Sequence, residues 1–144
     1  MKSRTSSALP SDSPLEFFID RSLGRHIVAN ALRSVGAIVR PMAEVYGERV
    51  GQGLADTEWL HDVGANGWIV LMKDDKIRYR PAELQALIAA GVRAFCLTNA
   101  NLGGQATAER FVTQLPRISE IAAMQAGPYI YGVYADGVRL LWPK

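Results

Sequence analysis

A chain of 144 residues, 49% hydrophobic and 21% charged, has the size and composition of one folded domain with a substantial core. Its net charge of +2 is too small for bulk electrostatics to argue for nucleic acid, and a single cysteine, Cys96, excludes an internal disulfide and any cysteine-built zinc site. No apolar segment approaches the roughly 18 residues of a membrane helix, so a reduced, cytoplasmic setting is expected.

Residues 1–14 are rich in Ser and Pro without a hydrophobic centre and are expected to be a flexible N-terminal arm, with a single domain over 15–144. Glu16 to Ile19 predicts a first strand ending at Asp20. Ser22 is expected to cap a helix with an apolar stripe at Leu23, Ile27, Ala31 and Val35, widened by Val28 and Leu32 and closed by Gly36. Ala37 to Val39 predicts a second strand. The glycines at 47, 51 and 53 suggest a mobile connection from Met42 to Leu54, with room for a short helix over Ala43–Tyr46.

Asp56 is placed to cap a helix from Thr57 to Asn66 that turns Trp59, Leu60 and Val63 inward and ends at Gly67. The run from Trp68 to Met72 is continuous rather than alternating, as suits a central strand covered on both faces. Pro81 then opens a helix ending before Gly91, and Val92 to Leu97 gives a fourth strand. Beyond that strand, Pro116 is expected to separate two helices, over about 106–115 and 117–125. Residues 129–134 and 138–142, joined through Asp136 and Gly137, predict a closing hairpin, either an extension of the sheet or a flap. Strand and helix alternate four times over 16–116, which predicts a three-layer α/β/α domain around a mainly parallel sheet.

Parallel sheets present ligands at the carboxyl ends of their strands. Two predicted strands end in acids, Asp20 and the pair Asp74-Asp75, and a helix begins with Asp56-Thr57-Glu58. Singly, each acid has an ordinary structural use as strand terminator, polar turn or helix cap. Brought to one edge, they would repel one another unless a cation joined them. Oxygen donors without His or Cys favour Mg²⁺ or Mn²⁺, which activate water and stabilise charge on a phosphoryl group. Lys73, Lys76, Arg78 and Arg80 flank the acid pair, and Arg21 and Arg25 follow Asp20, a rim suited to gripping phosphates, with Tyr79 available to stack on a base. His26 and His61 lack metal-binding spacing, Gly51-Gln52-Gly53 falls short of a dinucleotide fingerprint, and no phosphate loop or serine-hydrolase elbow occurs.

These elements resemble the PIN-like nuclease family, in its VapC-type toxin branch, over roughly Phe17 to Arg117. The resemblance is carried by Phe17-Phe18-Ile19-Asp20, by Leu54-Ala55-Asp56-Thr57-Glu58-Trp59-Leu60, by residues 67–74 from Gly67 to Asp74, and by Ile77 to Glu83 and Phe95 to Thr98. It implies a Mg²⁺- or Mn²⁺-dependent ribonuclease whose acids cluster at the carboxyl edge. Carried over by position, Asp20 matches the first-strand acid, Asp56 the acid opening the middle helix and Asp74 the acid after the central strand, with Glu58 and Asp75 as further candidates. Met72 stands where many relatives have Thr or Ser, and the loop after the fourth strand offers Asn99 and Asn101 rather than a carboxylate. The resemblance also implies an RNA substrate and a DNA-binding antitoxin that blocks the acidic edge within a larger oligomer. A module with a depleted site, acting in RNA binding or protein interaction, and an RNA-processing nuclease without an antitoxin are the alternatives.

Overall fold

The apolar runs at 16–19, 69–72 and 93–97 become strands that turn alternate side chains to two different cores. A computed structural model describes residues 14–73, 76–99 and 101–144; all but the last residue of the expected arm, and both Asp74 and Asp75, lie outside the described residues. In order come β1 (Glu16–Ile19), α1 (Ile27–Ser34), β2 (Ile38–Pro41), α2 (Met42–Tyr46), α3 (Glu48–Gly53) and α4 (Asp56–Asn66). They are followed by β3 (Ile69–Met72), α5 (Pro81–Ala90), β4 (Arg93–Leu97), α6 (Gly104–Met124), β5 (Tyr129–Tyr134) and β6 (Gly137–Trp142). Single 3-10 turns lie at Arg21–Leu23 and Ile77–Tyr79.

The strands make one sheet in the order β2-β1-β3-β4-β5-β6, parallel throughout except for β6, which runs antiparallel to β5. The closing hairpin is therefore an extension of the sheet. Phe17, Ile19, Ile69, Leu71, Phe95 and Leu97 pack on one face against Val28 and Leu32 of α1 and Phe111, Ile118 and Ile121 of α6. Phe18, Val70, Met72, Ala94 and Cys96 pack on the other against Trp59, Leu60 and Val63 of α4 and Leu87 of α5. All four residues of β3 are buried, the result that a continuous apolar run predicts for a strand covered on both sides. The three-layer α/β/α arrangement is the outcome. No helix among the described residues is long and apolar enough to cross a membrane.

Local expectations fail where tertiary contacts compete with them. Ser22 does not cap a helix: its hydroxyl is bonded to Asp20, the chain makes a 3-10 turn, Gly24 redirects it at φ 79°, and α1 begins only at Ile27. The expected stripe is accordingly offset, with Val28, Ala29 and Leu32 buried but Ile27 and Val35 each 51% exposed. The short helix expected over Ala43–Tyr46 is present as α2, with Met42 buried in the core, but a second helix, α3, stands in place of the expected mobile connection. Asp56 is the first residue of α4, not its cap, a position taken by Ala55.

Pro116 lies inside α6 and does not divide it. An internal proline removes one helical hydrogen bond and costs about 3 kcal/mol. The buried face, however, continues on both sides of it through Phe111, Gln114, Ile118, Ile121 and Ala122, and Gln114 Nε2 donates to Ala135 O at 3.0 Å. Ending the helix at Pro116 would forfeit that burial, so packing prevails.

Helices α4 and α5 cross closely at Gly64, where an added Cβ would lie 2.4 Å from Ala90 O and 2.5 Å from Ala90 Cβ. In an exposed helix interior Gly→Ala is worth about 1 kcal/mol of stabilisation. Here the clash is with backbone, and Gly64→Ala is expected to destabilise the fold by about 1–3 kcal/mol, read as a fall in Tm.

Candidate active site

The strand order reverses at β1, which lies between β2 and β3. Connections leave such a point toward opposite faces and open a crevice at the carboxyl ends of the strands. Asp20, the residue after β1, sits there. Its amide donates to Leu71 O at 3.1 Å, keeping it in the ladder, while its carboxylate turns back over the following turn. Asp20 Oδ2 accepts from Ser22 N at 3.2 Å and from Ser22 Oγ at 2.6 Å. Asp20 as a residue is only 6% exposed, and Oδ1 is buried without a hydrogen-bond partner.

Burial pushes the Asp20 carboxyl above its ordinary value near 3.8, opposed by the two Ser22 hydrogen bonds; the charge of Asp56 raises it further and that of Arg21 lowers it. Asp20 and Asp56 are thus close enough to repel. Asp56 Oδ1 is held by Trp59 Nε1 at 2.8 Å and by Arg21 Nη1 at 3.5 Å, which leaves Oδ2 outside both contacts. Arg21 also donates from Nε to Gly51 O at 3.2 Å and from Nη2 to Leu54 O. One guanidinium, presenting its fork of donors in a fixed plane, therefore fastens the end of α3 and the start of α4 to the end of β1.

Glu58 lies one turn into α4, exposed, with Oε1 accepting from Ala55 N at 3.3 Å, so it closes the helix end. Its charge acts on Tyr46, as does that of Asp62, to which Tyr46 Oη donates. Among the described residues no three His, Cys, Asp or Glu side chains form a group able to hold a metal. Asp20 and Asp56 are the two the structure brings together; Asp74 and Asp75 lie beyond the described end of β3.

The cationic rim is divided. Lys73 follows β3, donating its amide to Ser22 Oγ at 3.0 Å and Nζ to Leu102 O at 3.3 Å. Arg25 is paired with Glu48 at 2.6 Å, both about half exposed. Arg78 lies over the Tyr79 ring at 4.6 Å, so Tyr79, 67% exposed, has one face taken by its own neighbour. Lys76 is exposed before the second 3-10 turn, and Arg80 is exposed at the N-terminus of α5. Met72 is 1% exposed in the core beside α4 and α5, so that position carries packing here. Asn99 Oδ1 accepts from Asn101 N, closing the loop after β4 on itself.

The sequence names Arg21, Ser22 and Trp59 for other tasks: Arg21, expected on the phosphate rim, is turned inward to Asp56, Gly51 O and Leu54 O, while Ser22 and Trp59 bond the acids Asp20 and Asp56. The pair Asp20-x-Ser22 is a legible signal for a carboxylate bonded two residues on. The reach of Arg21 across 30 residues and more is visible only in the fold.

A family model described as "PIN like domain" matches residues 15–99, more than half of the chain. Over 121 residues, covering 84% of this chain and 87% of the relative, the sequence is 36% identical to a protein named "Putative ribonuclease VapC45" from Mycobacterium tuberculosis strain H37Rv. No solved structure matches the chain significantly. With its parallel sheet, its switch point at β1 and the acid pair Asp20 and Asp56 at that edge, this chain belongs to the PIN-like domain family, in its VapC-type branch.

Proposed function

We propose that this protein is a ribonuclease that hydrolyses RNA phosphodiester bonds with Mg²⁺ or Mn²⁺, and that it acts in the cytoplasm as the toxin of a type II toxin–antitoxin pair. The observation that carries the metal is Asp20 Oδ1, a buried carboxylate oxygen without a partner, set beside a second carboxylate. A buried, unpaired charge is costly, and an all-oxygen donor set suits a hard divalent cation. Asp20, Asp56 and Asp74 would hold it, with Asp75 and Glu58 as further oxygen donors. A divalent ion bound there supplies Lewis acidity, acidifying a bound water and offsetting charge on the phosphoryl oxygens.

The chain's own residues orient these groups. Ser22 fixes the rotation of the Asp20 carboxylate, and Arg21 and Trp59 fix that of Asp56. Lys73, whose amide bonds Ser22 Oγ, and Arg25, which follows the turn after Asp20, would take the phosphates flanking the bond to be cut, and Lys76, Arg78 and Arg80 would extend that track along the RNA. The ribonuclease name of the relative supports the substrate class, and its VapC name supports a cognate antitoxin, for which a DNA-binding protein covering this edge is the expected partner.

The test is cleavage of single-stranded RNA by the purified protein. Fragments are expected with Mg²⁺ or Mn²⁺ and none with chelator. Mn²⁺ at 100 times its dissociation constant is expected to stabilise the fold by about 2.7 kcal/mol, measured as a rise in Tm. No cleavage and no rise would overturn the nuclease and leave an interaction module in its place.

A further inference from the structure

A cavity of about 160 Å³ opens at the carboxyl ends of β1 and β2, beside the acid edge but not part of it. Ile19 and Arg21, the two neighbours of Asp20 in the chain, both line it. Its apolar wall is Ile19, Pro41 and Met42, and at its rim are Arg25 and Glu48. Arg21 is occupied by Asp56 and by the carbonyls of Gly51 and Leu54, so it shapes the wall and is not available to a ligand. Arg25 and Glu48 are joined by a single ion pair at 2.6 Å with side chains 55% and 54% exposed, a contact that water screens and that opens at small cost.

We propose, building on the ribonuclease reading, that this cavity is a subsite for one guanine base next to the phosphate that is cut, selected by the Glu48 carboxylate. The volume is well below the ~300–1,000 Å³ of a pocket for a drug-sized ligand and suits one ring system rather than a whole nucleotide. Apolar side chains cover the faces of a base, and single-stranded RNA is read on the edges of bases turned out of the stack. A carboxylate only accepts hydrogen bonds. Guanine is the base that offers it two adjacent donors, N1–H and the 2-amino group. Adenine and cytosine set their amino group beside an acceptor nitrogen, and uracil sets N3–H between two carbonyl oxygens, so each brings an acceptor against the carboxylate. When Glu48 turns to the base, Arg25 is released toward the neighbouring phosphate. The ion pair thus keeps both recognition groups in place while no RNA is bound.

The experiment uses short single-stranded RNAs that differ at one position, carrying guanine, inosine, adenine, cytosine or uracil beside the cut. The wild-type protein is expected to show kcat/KM at least about fivefold higher for guanine than for inosine, which lacks the 2-amino group, or for the other bases. Glu48→Gln is expected to bring the guanine substrate down to the level of the rest, and Arg25→Gln to raise KM for all five alike. A wild-type enzyme indifferent to the base, or a Glu48→Gln enzyme that keeps the guanine preference, would overturn the subsite. Fluorescence anisotropy of the same RNAs in chelator reads binding without cleavage. A guanine preference there, with no RNA cut in Mg²⁺ or Mn²⁺, would uphold the subsite and refute the ribonuclease.

Discussion

Asp20→Asn is expected to lower RNA cleavage more than about 100-fold while making the metal-free protein more stable. Loss of a group that merely supports a metal ligand typically costs about 10–100-fold, and Asp20 is proposed as a ligand itself, so that range is a lower bound. The stability change has the opposite sign because burial disfavours the charged form of the Asp20 carboxyl and raises its pKa. Its folded pKa lies above the unfolded value, so Asp20 contributes most to stability when protonated, below the unfolded pKa. That contribution is lost as pH rises through the folded pKa. Asn keeps an oxygen that can accept from Ser22 N and has no charge to lose. In chelator at neutral pH the variant is expected to gain about 1–3 kcal/mol, read as a higher Tm, and the gain should vanish in acid. Wild-type cleavage by the Asn protein would remove Asp20 from the chemistry.

Arg21→Met is expected to impair the site from one step further away. The side chain is 29% exposed and serves three acceptors: Asp56 Oδ1, Gly51 O and Leu54 O. Met fills much of the same space without donors, so two carbonyls lose their Arg21 partner together and Asp56 is left with Trp59 alone. A loss of about 1–3 kcal/mol in stability is expected from the unpaired groups. The diagnostic readout is kinetic: kcat should fall about 10–100-fold and the Mn²⁺ concentration for half-maximal rate should rise, with KM for RNA little changed. Arg21→Lys should recover part of the stability and little of the rate, since a single ammonium cannot span the three acceptors. An unaltered Mn²⁺ requirement in Arg21→Met would show that Arg21 holds the chain but not Asp56.

The sheet was legible from the sequence because its signals are local. The runs at 16–19, 69–72 and 93–97 are apolar, short and bounded by Gly or charge, and α5 is punctuated by Pro81 and Gly91 at its two ends. Within Met42 to Leu54 the short helix at Ala43–Tyr46 was legible but α3 was not, because these helices are short and held from outside. Arg21 grips Gly51 O and Leu54 O, Tyr46 reaches Asp62, and Met42 enters the core. Three glycines outweigh those contacts in any local reading, and Glu48 is lost with them. The position of Asp56 at the acid edge could be anticipated from its place at the opening of a helix. The groups that aim it come from 35 residues earlier, in Arg21, and from three residues later, in Trp59. For the cation track, spacing gave candidates but not their engagement. Arg25 is already paired with Glu48, and Arg78 already lies over Tyr79.

The hydroxyl of Ser22 gives its proton to Asp20 Oδ2 and takes the amide proton of Lys73. Two strand ends 51 residues apart in the chain are thereby coupled through one oxygen atom. Rotating the Asp20 carboxylate would disturb the backbone at Lys73, and the reverse holds equally. The entropy of aligning the ends of β1 and β3 is therefore lost when the domain folds, and the proposed cation would meet Asp20 already oriented.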